Sequence, residues 1–182
     1  MDPATMDPAK ASTCTTCTFS EDNSNYWTAN IYFKSPENGT YKRVPQMANV
    51  GISQNGGLTV YYMYPYTKEN KVTAFKPGFR MIAGDPNLRT GTKTNPNVCH
   101  RCNGNGEGFA PCDSKDTWAF PPKPCPGGIR STVIFPSCWD GKNLDSPDHK
   151  SHLAYSGGGT GGLGYGNCPT THPIRVPQVM YE

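Results

Sequence analysis

The sequence lacks both long hydrophobic runs and basic clusters. No stretch approaches the roughly 18 consecutive apolar residues that a transmembrane helix needs, so we predict no membrane span. The 17 lysines and arginines are scattered, the net charge is only +3, and the longest basic run is Lys42-Arg43. Because nucleic-acid binding requires a clustered basic face, nucleic acid is not an expected partner.

Helical periodicity is missing as well. No window of about eleven residues keeps apolar side chains at the i, i+3, i+4, i+7 spacing of an amphipathic helix. The chain instead has short aromatic and β-branched runs bounded by turn residues, at 26–33, 58–65, 71–75, 79–83, 131–135 and 174–181. These runs predict a mainly β, loop-rich fold with few or no long helices, built as a disulfide-stapled β-sandwich or distorted barrel.

Aromatic residues, by contrast, are plentiful, with 10 tyrosines, 7 phenylalanines and 3 tryptophans in 182 residues. They supply buried area, which argues against disorder although the hydrophobic share is only 35%. Residues 1–10 repeat the letters MDPA and contain no apolar segment of a signal peptide, so we interpret them as an added leader. Residues 11–182 are long enough for one β-rich domain, which we expect to be monomeric.

The eight cysteines form an even set, which in a loop-rich chain predicts four disulfides and an oxidising compartment. They are Cys14, Cys17, Cys99, Cys102, Cys112, Cys125, Cys138 and Cys168. The C-x-x-C pairs at 14–17 and 99–102 would also suit zinc or redox chemistry, although their wide separation disfavours a compact zinc site. Asn38-Gly39-Thr40 is a glycosylation sequon, so Asn38 is a predicted attachment site and secretion is the predicted localisation.

The segment from Trp139 to His152 is dense in reactive side chains, with three aspartates and two of the chain's four histidines. His149 and His152 lie three residues apart, a spacing at which two imidazoles can share a metal ion. With His172 as a third ligand and an aspartate as a fourth, the set predicts a site for zinc or copper. A divalent metal is therefore a candidate cofactor.

The same segment also suits acid–base chemistry. Asp140 and Asp85 would form the carboxylate pair of a glycoside hydrolase if the fold brings them within about 5–10 Å. Asp148 and His149 are further catalytic candidates. The alternative is structural, because aspartate and histidine side chains often hold loops through hydrogen bonds to the backbone.

Three aromatic side chains are candidates for stacking on sugar rings, namely Trp27, Trp139 and Tyr155. Such stacking requires that the rings be exposed. Core packing is the commoner fate of an aromatic side chain, so it remains the alternative for each of them.

Four blocks of sequence resemble a known family over about residues 14–182. They are YWTANIYF (26–33), VTAFKPGFRMIAGDPNLRT (72–90), FPSCWDGKNLDSPDHKSHLAY (135–155) and CPTTHPIRVPQVMYE (168–182). The family is a secreted, mainly fungal domain of unknown function that is often fused to WSC carbohydrate-binding modules. The resemblance implies secretion, disulfides and a cell-wall polysaccharide setting, and it implies no particular reaction.

The chain departs from the family pattern at both ends. Members begin with a block that contains Asp-Pro-Ile and a close histidine pair, where this chain has its MDPA leader. Members also continue into a His-x-Asp-Phe block, whereas this chain stops at Glu182. The sequence therefore resembles a trimmed version of the domain, which retains the middle histidines of any histidine-rich site.

Three functions follow from these observations. The leading hypothesis is a secreted fungal protein that binds cell-wall polysaccharide or acts on it as a hydrolase. The second is a secreted protein that binds zinc or copper. The third is a non-enzymatic secreted effector or immunomodulatory protein.

Overall fold

The computed structural model describes residues 6–20, 22–47, 57–63, 71–85, 87–88, 97–104, 112–157 and 166–182. The chain forms two compact units, Met1–Leu58 and Thr59–Glu182, so the domain expected over 11–182 contains parts of both. In chain order the described elements are α1 (Pro8–Ala11), β1 (Tyr32–Lys34), β2 (Tyr41–Arg43), β3 (Val60–Met63), β4 (Val98–Cys102), β5 (Ile129–Ile134), β6 (Cys138–Trp139), β7 (Leu153–Ala154), β8 (Ile174–Arg175) and β9 (Gln178–Tyr181).

The first unit contains a β-hairpin whose two strands pair antiparallel. Tyr32 lies opposite Arg43 in β1–β2, and Lys34 lies opposite Tyr41. The turn between the strands depends on Gly39, whose φ of 69° is a conformation that side chains disfavour. Asn38 is exposed in this turn, where its Oδ1 accepts hydrogen bonds from the backbone N–H and the hydroxyl of Thr40. The sequon is therefore on an exposed turn, and its glycosylation remains a prediction.

The second unit contains a four-stranded antiparallel sheet in the order β3-β9-β5-β4. All four residues of β9 are buried, and Val179 has no exposed surface. A strand inside a sheet that is covered on both faces reads as a continuous apolar run, which fits Val179-Met180-Tyr181. Pro177 precedes the strand and so removes no hydrogen bond from its interior.

A three-stranded sheet in the order β7-β6-β8 completes the second unit. Its buried centre is Trp139, Leu153 and Val176. Partly buried side chains pack on this centre, namely Ile174 of β8 and, from irregular segments, Phe75, Phe79, Met81 and Leu144. Each fully buried aliphatic side chain contributes about 1.5–3 kcal/mol relative to exposure, so this cluster holds the loops around it in place.

The mainly β prediction is confirmed, and no described helix is longer than four residues. None of the described helices is long and apolar enough to cross a membrane. The barrel alternative is not realised by the described strands, which form separate sheets of two, four and three strands. The runs 71–75 and 79–83 are not strands, because Gly78, with φ of 84°, and Pro77 turn the chain between them.

Three disulfides are present, all in the second unit: Cys99–Cys112, Cys102–Cys125 and Cys138–Cys168. The first two tie the loop after β4 back onto that strand. The expectation that all eight cysteines pair is wrong for Cys14 and Cys17, which are free. The Cys17 N–H donates to the hydroxyl oxygen of Thr15, and the Cys17 thiol lies 3.9 Å from Asp22 Oδ2 instead of bonding Cys14.

We expect replacement of Cys138 and Cys168 by serine to lower the free energy of unfolding by about 3–4 kcal/mol, because this disulfide closes a 30-residue separation in the unfolded chain. Urea denaturation of the double variant measures the loss. The matched control is Cys14→Ser with Cys17→Ser, which we expect to change stability by less than about 0.5 kcal/mol. Equal losses in both variants would contradict the assignment of these thiols as free.

Candidate functional site

The segment after β6 is a series of turns, each closed by an aspartate. Asp140 Oδ1 accepts hydrogen bonds from the N–H groups of Lys142, at 2.8 Å, and Asn143, at 2.9 Å. Asp140 Oδ2 accepts a third from the Asn143 side-chain amide at 2.7 Å. Partial burial raises the pKa of Asp140, but these hydrogen bonds outweigh burial, so the net pKa is lowered. Asp140 therefore stays ionised and holds its own turn.

Asp148 closes the next turn. Its Oδ1 accepts from the N–H groups of Ser151 and Lys150 and from the hydroxyls of Ser146 and Ser151. The Ser151 N–H, followed by the Ser146 hydroxyl and the Lys150 N–H, holds the pKa of this carboxyl far below its ordinary value. A carboxylate bound in this way is a poor proton donor, because a general acid needs a raised pKa.

Asp145 and His149 form a local pair, with 2.6 Å between Asp145 Oδ1 and His149 Nδ1. Burial raises the pKa of Asp145, but the His149 contact and the Ser146 N–H lower it by more. His149 has a φ of 54°, in the left-handed region, and its carbonyl accepts from the Ile82 N–H at 3.1 Å. The backbone of His149 therefore joins this turn to the segment around Ile82.

His152 is the buried member of the set, at 1% exposure. Its Nδ1 lies 2.8 Å from the Ser146 hydroxyl, and its Nε2 lies 2.8 Å from the Arg80 carbonyl oxygen. Its ring also packs edge-on against Phe79, at 5.4 Å between centroids. Both ring nitrogens are engaged by the protein, so neither is turned toward a vacant ligand position.

Both ring nitrogens of His172 also have partners in the protein. Its Nδ1 lies 2.9 Å from the Thr171 hydroxyl, and its Nε2 lies 3.1 Å from the Ser151 carbonyl oxygen. Across the described residues no group of three histidine, cysteine, aspartate or glutamate side chains is placed to hold a metal ion. The predicted ligand set of His149, His152 and His172 is therefore not formed, because these rings bond to carbonyl oxygens and side chains of the protein.

The predicted catalytic carboxylates each accept hydrogen bonds within their own turns. Asp85 is exposed, and its Oδ1 accepts from the Asn87 N–H at 2.9 Å. Asp140 and Asp148 also accept hydrogen bonds within their own turns. Lys150 Nζ donates to the carbonyl oxygen of Gly84, which joins the turn of Asp148 to the chain beside Asp85. Catalysis by these residues or by His149 stays a prediction, while their hydrogen bonding favours the structural alternative.

The predicted sugar-stacking residues differ in exposure. Trp139 is only 3% exposed, with its indole N–H donating to the Asn143 carbonyl at 2.6 Å, so the expectation of a binding role is wrong for this residue. Phe79 meets the Trp139 ring edge-on, and Lys76 Nζ lies 4.9 Å from the ring centroid. Tyr155 is 38% exposed, and its hydroxyl donates to the Ile134 carbonyl at 2.8 Å, so its binding role stays a prediction.

Trp27 remains available as an aromatic surface, at 59% exposure, and the same unit exposes three further aromatic side chains that the sequence analysis did not single out. Tyr32, Phe33 and Tyr41 are 54%, 58% and 67% exposed. Tyr32 and Phe33 lie in the run YWTANIYF, but a strand pattern alone does not say which faces a sheet leaves uncovered.

A pocket in the second unit was also missed. It has a volume of about 220 Å³ and lies between β4 and the loop that the disulfides fasten to it, lined by His100, Arg101, Cys102, Lys115, Thr117, Pro121, Pro122 and Lys123. The alternation of buried and half-buried residues in β4 places His100 and Arg101 on opposite faces. The alternation of residue types in VCHRC could have predicted this strand. In sequence, Cys99 and Cys102 instead suggest a C-x-x-C pair.

Arg101 is the anchor beneath this pocket, with a side chain that is 2% exposed. Its guanidinium bonds both oxygens of Asp116, at 2.8 Å each, and Asp113 Oδ1 at 2.6 Å. The Asp116 hydrogen bond is the main cause of a raised pKa for Arg101. A buried charge is tolerated only when it is paired, so this ion cluster fixes the loop over β4.

We expect His152→Asn to lower the free energy of unfolding by about 2–4 kcal/mol, because it removes a fully buried ring and that ring's hydrogen bond to the Arg80 carbonyl oxygen. The matched variant His149→Asn, at a half-exposed position, should lose no more than about 1 kcal/mol. Urea denaturation is the measurement, repeated with zinc added. If zinc stabilises the wild type but neither variant, the prediction of a metal site would be supported instead.

We also expect Asp148→Asn to reduce stability most at neutral pH. The folded-state pKa of Asp148 is lowered, so its stabilising contribution is present above the unfolded value of about 3.9 and is lost as the pH falls below it. The difference in urea midpoint between wild type and variant should therefore shrink from pH 7 to pH 3. Thr170→Ala, an exposed substitution in the same unit, serves as the control. A difference that stays constant with pH would contradict the role given to this carboxylate.

Comparison with known proteins adds one positive finding. No curated protein and no solved structure matches the sequence at a significant level. The family described as Domain of unknown function (DUF1996) matches over residues 1–182, which is the whole sequence. The chain therefore belongs to the DUF1996 family.

Proposed function

We propose that this protein is secreted and binds cell-wall polysaccharide through the exposed aromatic side chains of its first unit. One observation carries the proposal: Trp27, Tyr32, Phe33 and Tyr41 are each more than half exposed within that unit. Leaving a large apolar side chain in water forgoes about 1.5–3 kcal/mol of burial. Several such side chains in one small unit are typical of a binding surface.

Two of the hairpin's rings lie among cations on one face, and Phe33 lies on the other face. Directly opposed residues of an antiparallel pair lie on the same face, as do alternate residues of one strand. Tyr32 and Tyr41 therefore share a face with Arg43 and Lys34, and Lys34 Nζ lies 5.8 Å from the Tyr41 ring centroid. A sugar ring offers apolar C–H groups and hydroxyl oxygens, which match flat rings and adjacent N–H donors respectively.

Three further observations support an extracellular protein with a polysaccharide partner. Three disulfides are compatible with an oxidising, extracellular compartment. The sequon at Asn38 is exposed at the end of the same hairpin. The resemblance to a family often fused to WSC modules points to polysaccharide as the partner.

Binding without cleavage is the form of the hypothesis that the geometry favours. A glycoside hydrolase needs one carboxyl group with a raised pKa, to protonate the leaving oxygen. Asp140 and Asp148 instead have lowered pKa values, and each is committed to its own turn. We therefore propose a carbohydrate-binding protein that acts as a monomer.

We expect Trp27→Ala and Tyr41→Ala each to weaken binding to insoluble β-glucan, chitin or cellulose about five- to tenfold, as loss of a central aromatic contact does. Pull-down assays over a range of polysaccharide concentrations give the affinities. The matched control is Met47→Ala, which removes an apolar side chain of the same unit that is 76% exposed but carries no ring.

Three results would contradict this proposal. The first is the absence of binding by the wild type to all three polysaccharides. The second is an equal loss of affinity in Met47→Ala, since ring stacking would then not be the cause. The third is release of reducing sugar ends during incubation, which would show that the protein hydrolyses the polysaccharide.

A further inference from the structure

The two faces of the β1–β2 hairpin differ in composition and in exposure. Tyr32 lies opposite Arg43 and Lys34 lies opposite Tyr41, so these four side chains share one face. All four residues are exposed. We call this surface the tyrosine–cation face.

The opposite face is partly covered. It carries Phe33 and Lys42, which lie opposite each other. The Val44 N–H donates to the Ile31 carbonyl oxygen at 2.9 Å, which continues the antiparallel pairing by one step. Alternation places Ile31 and Val44 on the side of Phe33, and both residues are half-buried. The tyrosine–cation face is therefore the side of the hairpin that is more open to solvent.

Each tyrosine of this face has a cation opposite it on the other strand. Directly opposed side chains of an antiparallel pair start about 4.5–5.5 Å apart. Lys34 Nζ lies 5.8 Å from the Tyr41 ring centroid, which is near the outer limit of a cation–π contact. Arg43 has the corresponding position relative to Tyr32. A ring that stacks on either tyrosine would therefore have a cation beside its edge.

The charge of this face is not balanced by carboxylates. Among the described residues, no carboxylate lies within ion-pair distance of Lys34 or Arg43. Glu37 lies in the turn, outside both strands, and Asp22 accepts a hydrogen bond from the Tyr26 hydroxyl at 2.5 Å. A surface that carries two cations and no carboxylate complements an anionic ligand.

We infer that the tyrosine–cation face binds an acidic polysaccharide whose sugar residues are uronic acids. The inference rests on the proposed function, because it names the class of polysaccharide that these same rings would bind. A uronic acid carries its carboxylate directly on a ring carbon, beside the apolar C–H groups that stack on an aromatic ring. That arrangement matches a tyrosine with a cation next to it. Arg43 would bind the carboxylate through its planar fork, and Lys34 as a point charge.

Binding of the full chain to two cellulose fibres that differ only in charge tests the inference. One fibre is unmodified, and in the other the C6 hydroxymethyl groups at the surface are oxidised to carboxylates, which makes them glucuronate residues. We expect about tenfold tighter binding to the oxidised fibre at about 0.05 M salt, as two exposed ion pairs provide. The preference should largely disappear at about 0.5 M salt, because salt screens exposed charges.

Three substitutions locate the preference on one face. Lys34→Gln and Arg43→Gln should each weaken binding to the oxidised fibre about three- to fivefold. Glutamine keeps an N–H donor for sugar hydroxyls, so the affinity for unmodified cellulose should change by less than about twofold. Lys42→Gln is the matched control, because it removes the same charge from the opposite face of the same strand. This control should bind both fibres as the wild type does.

A competition experiment separates sugar recognition from charge alone. Soluble polyglucuronate should displace the protein from the oxidised fibre, whereas polyglutamate, a carboxylate polymer without sugar rings, should do so at least about tenfold less effectively. Equal displacement by the two polymers would overturn the inference, since the tyrosine rings would then contribute nothing.

The remaining outcomes separate this inference from the proposed function. Equal affinity for the two fibres would overturn the inference and leave polysaccharide binding in place. A loss in Lys42→Gln as large as that in Arg43→Gln would also overturn it, because net charge would then be the cause. Absence of binding to both fibres, to β-glucan and to chitin would overturn the proposed function and this inference with it. Binding to the oxidised fibre alone would support the inference and remove the neutral polysaccharides from the proposed function.

Discussion

The structure depends on how a chain with little regular secondary structure satisfies its backbone. Most described strands have two to four residues, so sheets supply few of the hydrogen bonds that buried N–H and carbonyl groups require. Aspartate side chains supply many of the rest in the segment after β6. Asp140 and Asp148 each close a turn by accepting two backbone N–H groups. His152 completes this set by bonding the Arg80 carbonyl from inside the core.

That constraint explains why the most reactive-looking segment resembles an active site in sequence. Aspartate, serine and histidine are the residues of catalysis and of metal binding, but they are also the residues whose side chains bond the backbone in turns. In the segment after β6 these side chains mainly bond the backbone of turns. The ion cluster around Arg101 does the same work for the loop over β4, where Asp113 and Asp116 fix the guanidinium from one side. The surfaces left open are elsewhere, on the aromatic hairpin and beside His100.

Sequence reasoning predicted what depends on composition and local pattern. The run at 131–135 became part of β5, and the run at 174–181 became β8 and β9, divided where Pro177 interrupts the ladder. The run at 79–83 instead packs Phe79 and Met81 against Trp139 from an irregular segment, because apolar residues can fill a core without forming a strand. Disulfide pairing, the burial of Trp139 and the pocket at His100 depend on contacts between distant parts of the chain, which no local pattern records.

The central claim is that these aspartates hold turns, and amide hydrogen exchange tests it most directly. The N–H groups of Lys150 and Ser151 donate to Asp148, and those of Lys142 and Asn143 donate to Asp140. The account predicts that all four amides are protected in the wild type. In Asp148→Ala, Lys150 and Ser151 should lose protection while Lys142 and Asn143 keep theirs. Exchange of Lys150 and Ser151 at the rate of an unstructured peptide in the wild type, or unchanged protection in the variant, would contradict it.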